Sequence, residues 1–406
     1  MSLEFERLTT VLEEMGQNEL RRLRQQDDDL TQAEAKLAQY ATNWGAIAAC
    51  VMLVEAKKPT LRLARPLDER DPLDAGIPAP TCPPQATLIA VDGSQILPDR
   101  HAAFLYYLLN VGGIVYYHGS GEPPTEFTRP TLHFREDDLF VNGGLVDGTL
   151  VGARRDLAEI EMLADMAWEC RHEPHPLLAI MDQRLLYWPA SAVPNQERND
   201  IVAGWLKAMT KVRDSGGLMA GYTSRSGRGS VLALLSLLQP RQTDFHAMLE
   251  RQEQWANLTD ADLFDRLLAP GERSRVFVDL SNDNDHYRQH DAANEICFFY
   301  LNAASPDARN SAKQIVRVDI PRWVADDEEA VATVHALLYD QCQILGDYPY
   351  VITRADEMAV VGRQDQEEFN NWIALKMQQL GIEAEVSGKL GGKGFGRAGK
   401  TRHELR

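Results

Sequence analysis

Long apolar runs are missing from this 406-residue sequence. No stretch of 18 or more apolar residues occurs, which excludes an ordinary membrane-spanning helix. The opening MSLEFERLTTVLEEMG lacks a basic region followed by an apolar core, so no secretory signal is expected. Cysteine is scarce and odd in number: Cys50, Cys82, Cys170, Cys297 and Cys342, with no CxxC pair. That excludes a disulfide framework and predicts free thiols in a reducing cytoplasm. Positive charge is short as well. Lys and Arg total 42 against 60 Asp and Glu, a net charge of −18, which excludes a surface that grips nucleic acid everywhere. There is no internal repeat. What remains, 44% hydrophobic and 25% charged residues, is an ordinary globular composition, long enough for one large or two ordinary domains.

Three regions differ in pattern. Residues 3 to about 58, within an N-terminal arm of 1–65, read as helices: Leu8, Val11, Leu12 and Met15 recur at helical spacing, as do Leu30, Ala33, Leu37 and Tyr40. This predicts a helical hairpin or a dimerising arm with no chemistry of its own. Residues 66–85 carry Pro66, Pro72, Pro78, Pro80, Pro83 and Pro84, and proline supplies no ladder or helix amide, so this is a linker. At the far end, 389–406 is Gly-rich and basic, with Lys389 and Lys393 suited to phosphate as part of a flexible arm.

The central part, 86–395, reads as α/β. Residues 87–92 form a first strand and Ala103–Tyr117 a second, with Gly112-Gly113 as a bend or bulge; a third short strand lies near Thr131–Phe134. Leu150–Glu169 is helical, with Leu157, Ile160, Leu163, Ala164 and Ala167 in one apolar stripe. Leu177–Met181 is a further apolar run ending on Asp182. Strands at 275–280, 314–319 and 349–352, and helices near 197–213, 229–238, 326–345 and 364–380, continue the alternation. The expected fold is a mixed β-sheet with a helical crossover, flanked by helices.

Two apolar strands ending on Asp92 and Asp182, with a Glu-bearing helix between them, are what a divalent-metal site requires. Either Asp alone suits a turn cap. Together at strand ends they line the sheet edge where ligands bind. Hard ions such as Mg²⁺ and Mn²⁺ prefer oxygen ligands, and two ions about 3.5–4 Å apart activate water and stabilise a leaving phosphodiester oxygen. Gly93 lets backbone approach substrate, and Ser94 and Gln95 orient water or phosphate. Glu159 and Glu161 flank the helix stripe about equally; Arg155, one turn before Glu159, favours Glu159 by an i,i+4 pair, with Glu161 the alternative.

With these residues in view the chain resembles the NurA family of DNA end-processing nucleases. The resemblance rests on VDGSQ (91–95), RRDLAEIEML (154–163), LAIMDQRLLYW (178–188), AGYTSRSGR (220–228) and GDYPYVITRADEMAVV (346–361), the last being the most specific. It covers about residues 86 to 395. It implies an RNase H-like fold and a Mn²⁺-dependent (or Mg²⁺-dependent) deoxyribonuclease with two ions per site. The implied enzyme acts 5′→3′ on ends and endonucleolytically on single strands in DNA end processing, as a cytoplasmic homodimer docked on a HerA-type hexameric ATPase. Carried over, Asp92, Glu159 (or Glu161) and Asp182 are the metal ligands and Tyr348 a tyrosine near the site. Asp356 stands where many relatives carry histidine; it ligates a hard cation but does not donate a proton at neutral pH as His⁺ would. Asp182-Gln183-Arg184 replaces a second DGS, with Arg184 and Arg155 as candidate phosphate contacts. A non-catalytic dimeric adaptor on a DNA-translocating ATPase is the alternative, and retention of all three principal carboxylates argues against it.

Other motifs resolve as decoys. GFGRAGKT (394–401) fits a nucleotide-binding P-loop, but only five residues follow it, too few for the helix that aims its amides. Cys170, His172 and His175, and His286 with His290, lack a set of four zinc ligands. Asp279–His286 lacks the glycine and terminal glutamate of a calcium loop and reads as a strand-end loop with surface asparagines. Trp188, Trp205 and Trp255 read as core rather than base-stacking platforms.

Overall fold

The computed structural model describes residues 8–382, apart from 59, 175, 225, 228, 239–254, 307–313 and 347. In chain order the helices and strands are α1 (Thr9–Tyr40), α2 (Trp44–Lys57), β1 (Leu63–Pro66), β2 (Ala86–Ile96), β3 (Tyr107–His118), β4 (Thr125–His133), α3 (Glu136–Leu139), β5 (Phe140–Val141), β6 (Gly144–Leu145) and α4 (Gly148–Glu169). Then follow β7 (Leu177–Met181), α5 (Asn195–Asp214), β8 (Leu218–Thr223), α6 (Ser230–Leu237), α7 (Asp260–Leu267), β9 (Phe277–Leu280) and α8 (Asn282–His290). The last are β10 (Ile296–Asn302), β11 (Ile315–Pro321), α9 (Arg322–Ala325), α10 (Glu328–Leu345), α11 (Tyr350–Ala359) and α12 (Arg363–Gln379). This is the expected mixed α/β architecture with an N-terminal helical region. No single helix among the described residues is long and apolar enough to cross a membrane. None of the five cysteines, all among the described residues, forms a disulfide.

The chain divides into two interleaved compact units. The first comprises Met1–Pro84, Met181–Leu186 and Leu218–Tyr350. Its strands run in the order β1-β9-β10-β11-β8, with antiparallel pairing throughout. Phe277, Phe298 and Tyr300 pack with Leu30, Ala33, Leu37 and Tyr40 of α1 and Ile47, Cys50, Val51 and Val54 of α2, so the arm's second apolar stripe is core. The first is not: Val11, Leu12 and Met15 are more than half exposed. β10 escapes sequence reading because all seven of its residues are buried, so no polar alternation marks it.

The second unit comprises Gln85–Ile180, Tyr187–Gly217 and Val351–Arg406. Its strands run β7-β2-β3-β4, with α4 against β2 and β3. Asp147 caps α4, its Oδ1 accepting from the amides of Thr149 and Leu150 at 3.0 Å each. Three sequence expectations need correction here. β2 does not stop at Asp92 but pairs with β3 as far as Ile96, so Asp92 lies inside a strand, opposite Gly112. Gly112-Gly113 is no bulge, because the ladder keeps its register through both. Residues 349–352 are not a strand: α11 begins at Tyr350, and Val351, Ile352, Ala355 and Ala359 form its buried helical face.

The glycines serve close packing. A Cβ on Gly112 would stand 2.4 Å from the Ala359 nitrogen and 2.5 Å from the Met358 carbonyl carbon, both backbone atoms. Neither can rotate away, so Gly112→Ala is expected to destabilise by about 3 kcal/mol or more. Thermal melts check this; an unchanged Tm would show that α11 shifts without cost.

Candidate metal centre

Side chains alternate along β2, and each face meets a different helix. Asp92 and Ser94 point toward α11. Ser94 Oγ donates to the Ala359 carbonyl oxygen, which also accepts from Asn110 Nδ2 at 2.9 Å. These two bonds pin the end of α11 to the sheet and bring Asp356, three residues earlier, against Asp92. The two carboxyls share a hydrogen bond. Arg354 steadies the same helix from outside, bonding Glu126 of β4 and Glu357.

Gly93 and Gln95 face α4. A Cβ on Gly93 would lie 2.4 Å from Glu159 Oε1 and 2.8 Å from Arg155 Cγ. The missing side chain is therefore the space into which Glu159 reaches, 4% exposed, in a helix whose other buried residues are nearly all apolar. Arg155 is its counter-ion: Nε lies 3.0 Å from Glu159 Oε1. The rest of that guanidinium bonds Gln95 Oε1 at 3.1 Å and Asp156 Oδ1 at 2.7 Å. Asp156 also accepts from the Tyr187 hydroxyl at 2.8 Å. Sequence reading missed Asp156 and Tyr187; the signal was an acid beside Arg155 on the helix.

The electrostatics show a site with more negative charge than it can hold alone. Burial, then the Asp156 charge, then Asp92, push the Glu159 carboxyl up to about 8 against the pull of Arg155. Burial and the neighbouring Asp356 raise Asp92, opposed by the Gly93 amide and Arg155. A cation beside Asp92 and Glu159 would favour the charged forms that burial and neighbouring carboxyls disfavour. An all-oxygen donor set of this kind fits a hard divalent ion. Glu161 does not belong to it. Its Oε1 lies 3.7 Å from where a Cβ of Gly204 in α5 would stand, and Asp165 and Lys207 are its charged neighbours.

Asp182 and Tyr348 lie in the first unit and meet each other. The Tyr348 hydroxyl donates to Asp182 Oδ1, and its ring packs edge-on to Tyr222 at 5.2 Å. Several residues expected at DNA are instead engaged within the protein. Arg184 places Nη2 2.9 Å from Asp279 Oδ2 and Nε 3.4 Å from Asp319 Oδ2, because two buried carboxylates need it. Arg155, Gln95 and Ser94 are held as described, by Glu159, by Arg155 and by Ala359. Lys389, Lys393 and the GFGRAGKT motif lie outside the described residues, as does His175. Asp279–His286 is not a surface loop: Ser281 caps α8, and Asn284 is buried, bonding the Asp279 and Ile296 carbonyls. Trp205 is fully buried and stacks on Tyr187 at 4.4 Å, as a core residue should.

The NurA domain family matches residues 86–361, more than half of the chain and all of β2, α4 and α11. The chain belongs to the NurA family. Among solved structures it is similar to the NurA nuclease from Sulfolobus solfataricus, with 13% identity and a TM-score of 0.46, covering 75% of this chain and 86% of that one. A second NurA crystal structure aligns at 9% identity and TM-score 0.40, over 73% and 90% of the two chains. A NurA structure bound to dAMP and manganese aligns at 8% and 0.34, over 72% and 88%. No curated protein matches the chain. The N-terminal helices α1 and α2 lie outside the family match.

Proposed function

We propose that this NurA-family chain is a metal-dependent deoxyribonuclease that hydrolyses phosphodiesters. The observation that carries the proposal is the carboxyl pair Asp92–Asp356 on β2 and α11, together with the buried Glu159 that α4 brings to Gly93. Asp92 and Asp356, paired on one face of β2, would hold the ion, with Glu159, packed at Gly93, as a further candidate ligand. Bound there, Mn²⁺ or Mg²⁺ supplies Lewis acidity toward the phosphate and activates water for attack. Arg155 fixes the Glu159 rotamer and offsets part of the acidic charge. Asp182, oriented within the first unit by Tyr348, is proposed as a metal ligand on the family resemblance. Asp356 is proposed as a ligand in the place where many family members carry histidine.

The finer assignment follows the same resemblance: two ions per site, 5′→3′ action on ends with endonucleolytic action on single strands, a homodimer, and a HerA-type ATPase as partner in end processing. The test uses 5′-labelled duplex and single-stranded DNA with Mn²⁺, with Mg²⁺ and with chelator. Short products from the 5′ end in Mn²⁺, and none in chelator, are expected. Cleavage that survives chelation would overturn the reading.

A further inference from the structure

Behind the loop that carries Asp182 lies a ring of four charges that the proposed chemistry does not use. Arg317 of β11 is fully buried, with Cζ 3.6 Å from the centroid of the Phe298 ring. Its Nε bonds Asp319 Oδ1 at 2.7 Å and its Nη2 bonds Asp279 Oδ2 at 2.9 Å. Asp279 and Asp319 are 2% and 1% exposed. One guanidinium leaves this trio with an excess negative charge in the core. The fourth member comes from the loop: Arg184 reaches both carboxylates, at 2.9 and 3.4 Å. Two arginines and two aspartates then alternate in a closed, neutral ring, the condition under which buried charges are tolerated.

The same loop is fixed at two further points. The Gln183 carbonyl oxygen lies 2.4 Å from where a Cβ of Gly221 would stand, and Leu185 is fully buried. Asp182 itself is exposed. Its side chain takes its direction from the backbone of this short loop and from the Tyr348 hydroxyl. Arginine suits the anchoring role because its planar fork bonds two carboxylates in fixed geometry, which the single ammonium of lysine cannot reproduce.

We propose that Arg184 is a positioning residue for Asp182: the buried Arg317–Asp279–Arg184–Asp319 ring sets the loop in which Asp182 presents its carboxylate to a divalent cation. This rests on the metal-dependent reading above. The sequence suggested Arg184 as a phosphate contact; as an anchor it acts on metal binding and leaves DNA affinity unchanged.

The experiment compares the wild-type full chain with Arg184→Lys and Arg184→Met. It measures Mn²⁺ binding by electron paramagnetic resonance without DNA, the Mn²⁺ concentration giving half-maximal cleavage, and DNA affinity in chelator. Thermal melts define a temperature at which all three proteins are folded. Arg184→Met is expected to raise the half-saturating Mn²⁺ concentration about tenfold or more, and Arg184→Lys to raise it less, with DNA affinity within twofold of wild type. Should Arg184→Met fail to fold, the shift in Arg184→Lys alone decides. Unchanged Mn²⁺ binding in folded variants overturns the proposal, as does a loss of DNA affinity with Mn²⁺ binding intact, which would make Arg184 a phosphate contact. A wild-type protein that binds no Mn²⁺ would overturn the metal-dependent reading itself.

Discussion

Asp92→Asn is expected to lower Mn²⁺-dependent cleavage about 1,000-fold, with the fold retained. A thousandfold is about 4 kcal/mol of transition-state stabilisation, the size expected when a charged ligand is lost from a metal site. The fold survives because Asn keeps the shape of the side chain, and Asp92 is already inclined to protonate beside Asp356. Removing one charge from a crowded acidic cluster relieves repulsion, so the Tm in chelator is expected to hold or to rise. Single-turnover cleavage of 5′-labelled DNA at saturating Mn²⁺ measures the effect. Activity within tenfold of wild type would remove Asp92 from the catalytic machinery.

The second large effect concerns stability. In chelator the protein is expected to lose stability as the pH rises from about 5 to 9. The sign follows from Glu159, whose carboxyl sits at about 8 in the fold against 4.5 without it. The folded state therefore holds a proton that the unfolded state releases. Its contribution is complete below pH 4.5 and disappears as the pH passes 8. The full span corresponds to roughly 4–5 kcal/mol, at about 1.4 kcal/mol per pH unit. Glu159→Gln removes the ionisable group, so its Tm in chelator is expected to vary less over this window and to exceed that of wild type at pH 9. With Mg²⁺ or Mn²⁺ the wild-type loss shrinks, because a cation replaces the proton and binds better as the site ionises. Glu159→Gln gains little from metal. Melts from pH 5 to 9, with chelator and with metal, provide the check. Parallel wild-type and Glu159→Gln curves would show that Glu159 does not titrate there.

Parts of this architecture were legible because their patterns are local. The α4 stripe and the second stripe of α1 repeat at helical spacing, and both pack as helices do. Asp92 is legible because a carboxylate is rare at the end of an apolar run such as Leu88–Val91. The i,i+4 pair with Arg155 favours Glu159 over Glu161, but the sequence alone does not show which of the two is buried against β2. The answer depends on which flank of α4 meets the gap at Gly93, and that is set by packing against β2. Likewise, the extension of β2 past Asp92 depends on its partner. Gly93, Ser94 and Gln95 have low strand propensity, and the ladder with β3 overrides it. The ion pairs of Arg184 are not legible for the same kind of reason: Asp279 and Asp319 lie some 95 and 135 positions further along the chain, and no local pattern links them to it.

The pressure of α11 on Gly112 has a consequence for any large-scale mutational survey of this protein. In a library selected for DNA cleavage, position 112 would score as intolerant as position 92, though its glycine bears no functional group. Selection for protein abundance separates the two. Substitutions at Asp92 would accumulate as folded, inactive protein, while those at Gly112 would vanish from the folded pool. Comparing the two selections along β2 and β3 would sort the residues that perform chemistry from those that only leave room for it.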